Sequence, residues 1–251
     1  MVVDFTHVPN FTQYMQIVVD QFQDESPSRV LDVPAGNGLV SDALRSQGHE
    51  VVSGDINDEA AYYEKVDLEA KFPFEDGSFD AVVCLEGIEH VLDGTATLAE
   101  LVRILKPGGL LCLSTPNVMN LYSRWWMFLH GYPYQFPPSF SRRKESGMID
   151  RAHVNPMSLI RLHYVLGELG ADVFAIDGDK TKKWWMVPML LPWSWLGRAL
   201  SRSHFDETER PLKHLRRMLC SRPLLLSRSL IVWARKSEVE SRESNNGADR
   251  A

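Results

Sequence analysis

Cysteine is scarce in this sequence, and spacing typical of metal ligands is missing. The three cysteines, Cys84, Cys112 and Cys220, cannot form an even disulfide framework, and two of them lie in apolar segments. The eight histidines are scattered, and neither a C-x-x-C nor an H-E-x-x-H motif occurs. We therefore expect reduced core thiols, as in a cytosolic protein, and no metal site.

Excess positive charge and a targeting pattern are also lacking. The formal net charge is -6, which argues against a surface that coats nucleic acid. Residues 1–23 contain no basic region followed by an apolar block, so we expect no signal peptide. These absences predict a cytoplasmic protein without a nucleic-acid partner.

Length and composition suit a single α/β domain. With 251 residues, 44% of them hydrophobic, the chain can bury one sizeable core. We predict a domain over residues 1–236 with inserted segments at 118–152 and 180–222. Residues 237–251 are polar without apolar periodicity, which predicts a disordered tail.

Residues 29–55 have the order of a nucleoside-binding βαβ unit. A short apolar strand at Val30–Val33, a turn of small residues, a helical pattern and a second strand follow one another. Gly36 and Gly38 let the backbone approach a ligand closely, and the helix N-terminus offers free N–H groups. Asp55, about twenty residues further on, suits the two hydroxyls of a ribose.

Two residues distinguish this turn from one that binds a dinucleotide. Ser41 stands where the G-x-G-x-x-G fingerprint has its third glycine. Asp32, at the end of the first strand, would repel a pyrophosphate, but it can accept hydrogen bonds from an ammonium group, directly or through water. The pattern favours an amino-acid-bearing nucleoside, and a nicotinamide oxidoreductase is the weaker alternative.

The same stretch resembles the class I methyltransferases that depend on S-adenosylmethionine (SAM), whose first motif is D-x-G-x-G-x-G. In this sequence the motif is D-V-P-A-G-N-G at residues 32–38, with Pro34 in the first glycine position. The resemblance continues through residues 72–80 and through L-K-P-G-G-x-L-x-x-S-T-P-N at 105–117. It implies SAM as cofactor and a doubly wound, mostly parallel, seven-stranded Rossmann-like sheet, with an antiparallel last strand pair and an inserted helical lid.

The resemblance and the topology together assign the cofactor-binding residues. The carboxyl ends of adjacent strands meet at the switch point of a doubly wound sheet, which should bring Glu86 and Gly87 near the methionine part of the cofactor. Asp67 is expected to accept from the adenine amino group, with a capped turn as its alternative role. Tyr14, in a helical pattern over residues 10–23, is a weaker candidate. The predicted set is Asp32, Pro34, Ala35, Gly36, Asn37, Gly38, Asp55, Ile56, Asp67, Leu68, Glu86 and Gly87.

Two histidines are candidate catalytic residues. A hydroxyl acceptor must lose its proton, and histidine titrates near neutral pH. His153, which follows the predicted lid, is the first candidate, and His90 is the second; each has a structural role as its alternative. We interpret residues 118–152 as a lid over the acceptor pocket; the alternative is an inserted segment that only packs against the domain. Residues 115–117 are expected to form the floor of the pocket.

The segment from Trp184 to Trp195 is apolar, rich in tryptophan and flanked by Lys and Arg. Its two prolines and its length argue against a membrane-spanning helix. Three interpretations stay open: peripheral contact with the inner face of a membrane, a lid for an apolar acceptor, or a homodimer face.

The predicted function is SAM-dependent methyl transfer, which requires mainly the alignment of nucleophile, methyl group and sulfur. The expected acceptor is a small molecule or a lipid- or glycan-linked compound. The expected reaction is an O-methylation that gives S-adenosylhomocysteine. The lid resembles members linked to surface-glycan, quinone or lipid-intermediate pathways. The alternative is a non-catalytic SAM-binding sensor or scaffold module.

Overall fold

The structure, a computed structural model, describes most of the chain. The predicted tail, apart from its first two residues, lies outside the described part. The described residues are 10–23, 25–57, 61–138, 142–143, 149–150, 152–181, 183–200 and 210–238.

Nine strands, eight α-helices and two short 3-10 helices, Ile88–His90 and Trp184–Met186, are present in the described residues. The strands are β1 (Arg29–Asp32), β2 (Glu50–Asp55), β3 (Glu64–Lys65), β4 (Phe79–Leu85), β5 (Leu105–Pro116), β6 (Arg142–Arg143), β7 (Ile149–Asp150), β8 (Ala171–Gly178) and β9 (Ser229–Lys236). The helices are α1 (Gln13–Phe22), α2 (Leu39–Ser46), α3 (Gly94–Ile104), α4 (Leu121–His130), α5 (Leu159–Glu168), α6 (Val187–Leu200), α7 (Arg210–Leu219) and α8 (Arg222–Leu226).

Seven strands form one sheet in the order β3-β2-β1-β4-β5-β9-β8. Strands β1 to β5 are parallel, whereas β9 is inserted antiparallel between β5 and β8. The predicted doubly wound sheet, with its antiparallel strand pair at the end, is confirmed. Strands β6 and β7 form a separate two-stranded ribbon.

Both faces of the sheet are covered, which explains why its strands are apolar throughout. Neighbouring residues of β1 point to opposite faces: Val30 packs in the cluster with α1 and α2, and Leu31 packs in the cluster with α3 and α5. Val83 and Val82 of β4 divide between the two clusters in the same way. The core therefore lies in two layers on either side of the sheet.

The strand register brings the candidate site to one edge. Asp32, the last residue of β1, is paired with Ser53 of β2 and with Val83 of β4. The chain leaves β1 at this edge, and β2 and β4 lie on its two sides. The turn that follows β1 is therefore at the switch point of the sheet, where doubly wound proteins bind ligands.

One local prediction is wrong. A helix is expected over residues 58–64; residues 58–60 lie outside the described part of the chain, residues 61–62 form a turn, and Glu64 begins β3, paired with Gly54. In the tryptophan segment, α6 continues past Pro192. Among the described residues, no helix is both long and apolar enough to cross a bilayer.

Candidate functional site

A cavity of about 500 Å³ opens at the carboxyl edge of the parallel strands. This volume is within the range of sites for small molecules and cofactors. Every predicted cofactor-binding residue except Gly38 lines the cavity, and so do both candidate catalytic histidines. The fold therefore brings together residues that are distributed over more than half of the sequence.

The turn after β1 is held open by backbone geometry. Gly36 and Gly38 have φ angles of 53° and 78°, which glycine adopts without steric cost. Gly38 does not line the cavity but caps α2. A Cβ atom on Gly87 would lie 2.5 Å from Cδ of Pro34, so the ring of Pro34 packs directly on Gly87. The proline that departs from the motif is accommodated by this glycine at the end of β4.

Asp32 is almost completely buried and is oriented by a chain of side-chain hydrogen bonds. The hydroxyl of Ser41 donates to Oδ2 of Asp32 at 2.7 Å. Ser41 in turn accepts from the Ser53 hydroxyl at 2.7 Å, and Ser53 accepts from the guanidinium of Arg45 at 2.7 Å. Burial raises the pKa of Asp32 to about 7. A nearby ammonium group would favour its ionised form.

Asp55 is also buried, with 2% of its surface exposed, and it ties the turn to the end of β2. Its Oδ2 accepts from the backbone N–H of Gly36 and its Oδ1 from that of Asn57, both at 2.9 Å. Each carboxylate oxygen can accept a second hydrogen bond. The carboxylate is thus fixed in position and can still accept from two vicinal hydroxyls.

The part of the cavity that is predicted to hold the adenine ring has an apolar wall with one acidic residue beside it. Ile56, Val66 and Leu68 line this part of the cavity together with Asp67. Oδ1 of Asp67 also accepts from the backbone N–H of Glu69 at 2.9 Å, so the capped-turn role is present in the structure. The two roles are compatible, because a carboxylate accepts several hydrogen bonds. Two carboxylates, a glycine turn and an apolar wall fit a sulfonium nucleoside.

Two buried acids follow β4: Glu86 lines the cavity, whereas Glu89 does not. Glu86 has a φ of 50°, and the hydroxyl of Ser114 donates to its Oε1 at 3.0 Å. Burial raises the pKa of Glu86 to about 7. Glu89 is fully buried, and neither of its carboxyl oxygens has a hydrogen-bond partner among the described residues. Burial and then the neighbouring Glu86 raise the pKa of Glu89 well above its ordinary value.

The histidine pair is held next to these acids by the backbone. The N–H groups of Val154 and Asn155 both donate to the carbonyl of Glu89, at 2.9 and 3.0 Å. The rings of His90 and His153 consequently meet edge to face with their centroids 4.7 Å apart. The predicted proximity of both histidines to the cavity is thus observed.

The tautomer of His153 follows from its partner. Its Nδ1 lies 2.8 Å from the carbonyl oxygen of Gln135. A carbonyl oxygen only accepts hydrogen bonds, so Nδ1 must donate, and Nε2 carries the lone pair of the neutral ring. The ring of Phe136 lies against the same imidazole, with the centroids 5.5 Å apart.

Glu89, His90 and His153 lie together in space. One ligand atom from each lies within 4.8 Å of the others, and a carboxylate with two imidazoles can hold a divalent cation. The sequence shows no such set, because His153 is remote from the other two residues and the three have no fixed spacing; the absence of a metal site stays a prediction.

Two residues that line the cavity were not predicted from the sequence, and the residues predicted to form its floor do not line it. Arg228 and Ser229 line the cavity, because the insertion of β9 brings them to this edge. No local sequence signal marks them. Thr115 and Asn117 were expected as the floor but do not line the cavity. The amide of Asn117 instead donates to the carbonyl of Leu224 in α8 at 2.8 Å and to that of Ser227, which follows α8, at 3.1 Å.

The predicted lid contacts the site through its loop. Gln135 reaches both His153, through its carbonyl, and Arg228, whose Nε donates to Oε1 of Gln135 at 3.0 Å. None of the described residues of α4 or of the segment 183–200 lines the cavity. The described part of the predicted lid therefore touches the site only through the loop after α4.

Fold and site together define a doubly wound α/β protein with a nucleoside crevice at its switch point. A family model described as a methyltransferase domain matches residues 8–170. The chain therefore belongs to the methyltransferase domain family, and the predicted membership of the class I SAM-dependent methyltransferases is confirmed. SAM, the cofactor of this class, is the cofactor that the sequence predicted.

Curated relatives match part of the chain. The chain is 38% identical over 108 residues to the ubiquinone biosynthesis O-methyltransferase of Xanthomonas oryzae pv. oryzae, covering 38% of this chain and 45% of that protein. It is 33% identical over 113 residues to the protein of the same name from Dechloromonas aromatica, covering 39% and 49%. The chain thus spans less than half the length of these relatives.

Solved structures resemble the whole fold. A SAM-dependent methyltransferase from Archaeoglobus fulgidus has a TM-score of 0.53 at 18% identity, covering 88% of this chain and 94% of that one. A SAM-dependent methyltransferase from Methanosarcina mazei has a TM-score of 0.54 at 18% identity, covering 88% and 98%. At this identity the likeness establishes the architecture.

Proposed function

We propose that this protein transfers the methyl group of SAM to a hydroxyl oxygen of a small-molecule or lipid-linked acceptor. One observation carries the proposal: a single cavity is lined by two buried carboxylates at neighbouring strand ends and by His153, whose Nδ1 is held by the carbonyl of Gln135. Membership of the methyltransferase family supports the reaction class. The printed names of the curated relatives support oxygen as the acceptor atom.

The cofactor end of the cavity acts by binding and orientation. Asp55 accepts from the ribose hydroxyls, Asp32 accepts from the ammonium group, and Leu68 packs on the adenine ring. When bound, SAM supplies an activated methyl group on a sulfonium. The protein aligns the acceptor oxygen with that group, which converts the reaction into an effectively intramolecular displacement.

The acceptor end removes a proton. Nε2 of His153 takes the hydroxyl proton of the acceptor, and the donated Nδ1–H bond to the carbonyl of Gln135 keeps the ring in the required tautomer. His90 and Glu89 lie beside this ring. Phe136 covers the ring and helps to exclude water, which favours a step in which charge is dispersed.

Binding and turnover are tested separately. Calorimetry should show binding of SAM and S-adenosylhomocysteine but not of NAD, and Asp55→Ala should weaken SAM binding by about a hundredfold or more, as expected for lost charge-assisted hydrogen bonds. Asp172→Ala, an exposed acid on β8, is the matched control. Unchanged SAM affinity in Asp55→Ala would contradict the ribose role, and binding of NAD alone would overturn the class of ligand.

Turnover is then followed as release of S-adenosylhomocysteine with a panel of phenols, catechols, aliphatic alcohols and a lipid extract. We expect release with at least one hydroxyl compound. SAM binding without release from any acceptor or extract would favour a sensor or scaffold module over an enzyme.

A further inference from the structure

A second feature, outside the cavity, remains without a role in methyl transfer. Helices α4 and α6 contact each other and expose large apolar side chains on adjoining surface. We call this surface the tryptophan platform. Its residues are Trp125, Met127, Phe128, Leu129, Trp184, Trp185, Met189, Leu191, Trp195 and Leu196.

The exposure of these side chains rules out a lid in the conformation described. Phe128, Trp184 and Trp195 are 78%, 74% and 68% exposed, whereas a side chain closing a pocket would be buried against it. None of the platform residues lines the cavity. Large contiguous apolar patches on a protein surface mark sites of interaction with a protein or a membrane.

The charge around the platform indicates which partner fits. Residues 118–138 and 180–200 contain no Asp or Glu, although the whole chain has a net charge of -6. Arg124, Lys180 and Lys183 are exposed within these stretches. Tryptophan beside lysine and arginine matches the boundary between lipid headgroups and acyl chains, and the cations attract anionic lipid.

A second copy of the chain fits this surface less well. A two-fold interface would place the platform against itself and bring like charges together. An anionic bilayer can bury the apolar side chains in its interface and attract the cations to its headgroups.

We infer that the tryptophan platform docks this protein peripherally on a bilayer that contains anionic lipid. The docked face adjoins the site, because α4 leads into the loop in which the carbonyl of Gln135 contacts His153. An acceptor carried by the bilayer would thus reach the cavity from the docked side. Docking itself does not depend on the proposed methyl transfer.

Flotation of the full chain with vesicles tests the inference. The protein should float with vesicles of phosphatidylcholine mixed with phosphatidylglycerol, less with phosphatidylcholine alone, and less at high salt. The combined variant Phe128→Ser, Trp184→Ser and Trp195→Ser should lose binding by about a hundredfold or more, because each side chain forfeits burial in the interface. Lys180→Glu with Lys183→Glu should remove the preference for anionic lipid.

Matched controls are available on other faces. Tyr164 on α5 and Phe174 on β8 are 67% and 44% exposed, so Tyr164→Ser with Phe174→Ser removes exposed aromatic surface elsewhere. Lys213→Glu is the charge control. Both controls should float like the unmodified protein, and calorimetry with SAM verifies that each variant is folded.

Two results would overturn the inference. One is equal flotation of the platform variant and the unmodified protein, or no flotation with either kind of vesicle. The other is a dimer in lipid-free sedimentation that the platform variant abolishes, since a second copy would then occupy the surface.

Discussion

The hydroxyl of Ser41 lies 2.7 Å from the carboxylate of Asp32, so the residue in the third glycine position of the motif orients the acid that precedes it. A dinucleotide-binding turn needs a glycine there for close packing of helix on strand. In this chain the position is buried and polar, and it belongs to a hydrogen-bond chain that ends at Arg45. With serine in place of glycine, this position orients the carboxylate of Asp32.

The first prediction concerns the pH dependence of SAM affinity. Burial raises the pKa of Asp32 to about 7, and an ammonium ligand needs the ionised form. Affinity should therefore increase about tenfold between pH values of about 6 and about 8. Calorimetry at several pH values measures this, and Asp32→Asn should weaken binding and flatten the dependence. An unmodified protein with pH-independent affinity over this range would contradict the assigned contact.

The second prediction concerns the stability of the ligand-free protein. Asp32, Glu86 and Glu89 have pKa values raised by burial, so the folded state binds more protons than the unfolded state between about pH 4 and the raised pKa. Their stabilising effect is complete below about pH 4. For Asp32 and Glu86 it is lost between about pH 4 and about 7, and for Glu89 it is lost as the pH rises through that group's own raised pKa. The slope is up to about 1.4 kcal/mol per pH unit for each group.

Chemical denaturation at several pH values measures this slope. Glu89→Gln, which keeps the shape of a neutral carboxyl group, should reduce it and stabilise the protein at alkaline pH. The same change at the exposed Glu168 is the control and should leave the slope unaltered.

The third prediction separates catalysis from binding. His153→Gln should lower kcat by about a hundredfold to a thousandfold, the usual contribution of a general base, without changing SAM affinity. His130→Gln, outside the cavity, is the control. Full activity in His153→Gln would leave His90 as the remaining candidate.

The fourth prediction concerns the contact between Gly87 and Pro34. A Cβ atom at position 87 would lie 2.5 Å from the proline ring, so Gly87→Ala must displace the turn after β1. We expect the affinity for SAM to decrease by about tenfold or more, since the turn also carries the N–H group that fixes Asp55. Gly167→Ala, in α5 with open space around it, is the control and should be neutral or stabilising.

The cofactor half of the site was predictable because its signals are local. Asp32, the glycines and Asp55 lie on consecutive elements, so periodicity and turn composition were sufficient to place them. The location of the site was also predictable, because the carboxyl ends of parallel strands meet at one edge of the sheet.

The acceptor half was not predictable in the same way. Arg228 enters the cavity only through the antiparallel insertion of β9, and His153 meets His90 only because backbone bonds attach residues 154 and 155 to Glu89. Thr115 and Asn117 end a strand at the expected edge, yet α8 lies beside them and takes up the amide of Asn117. Contacts of this kind depend on packing between distant segments, which a local pattern does not encode.

The insertion of β9 between β5 and β8 has a consequence for biosynthesis. Arg228 and Ser229, which complete the cavity wall, are synthesised long after Asp32 and Asp55. During translation the two carboxylates and the glycine turn are therefore present well before the cavity has its full lining. A ribosome that stalled before residue 228 would carry a chain whose cavity lacks this part of its wall.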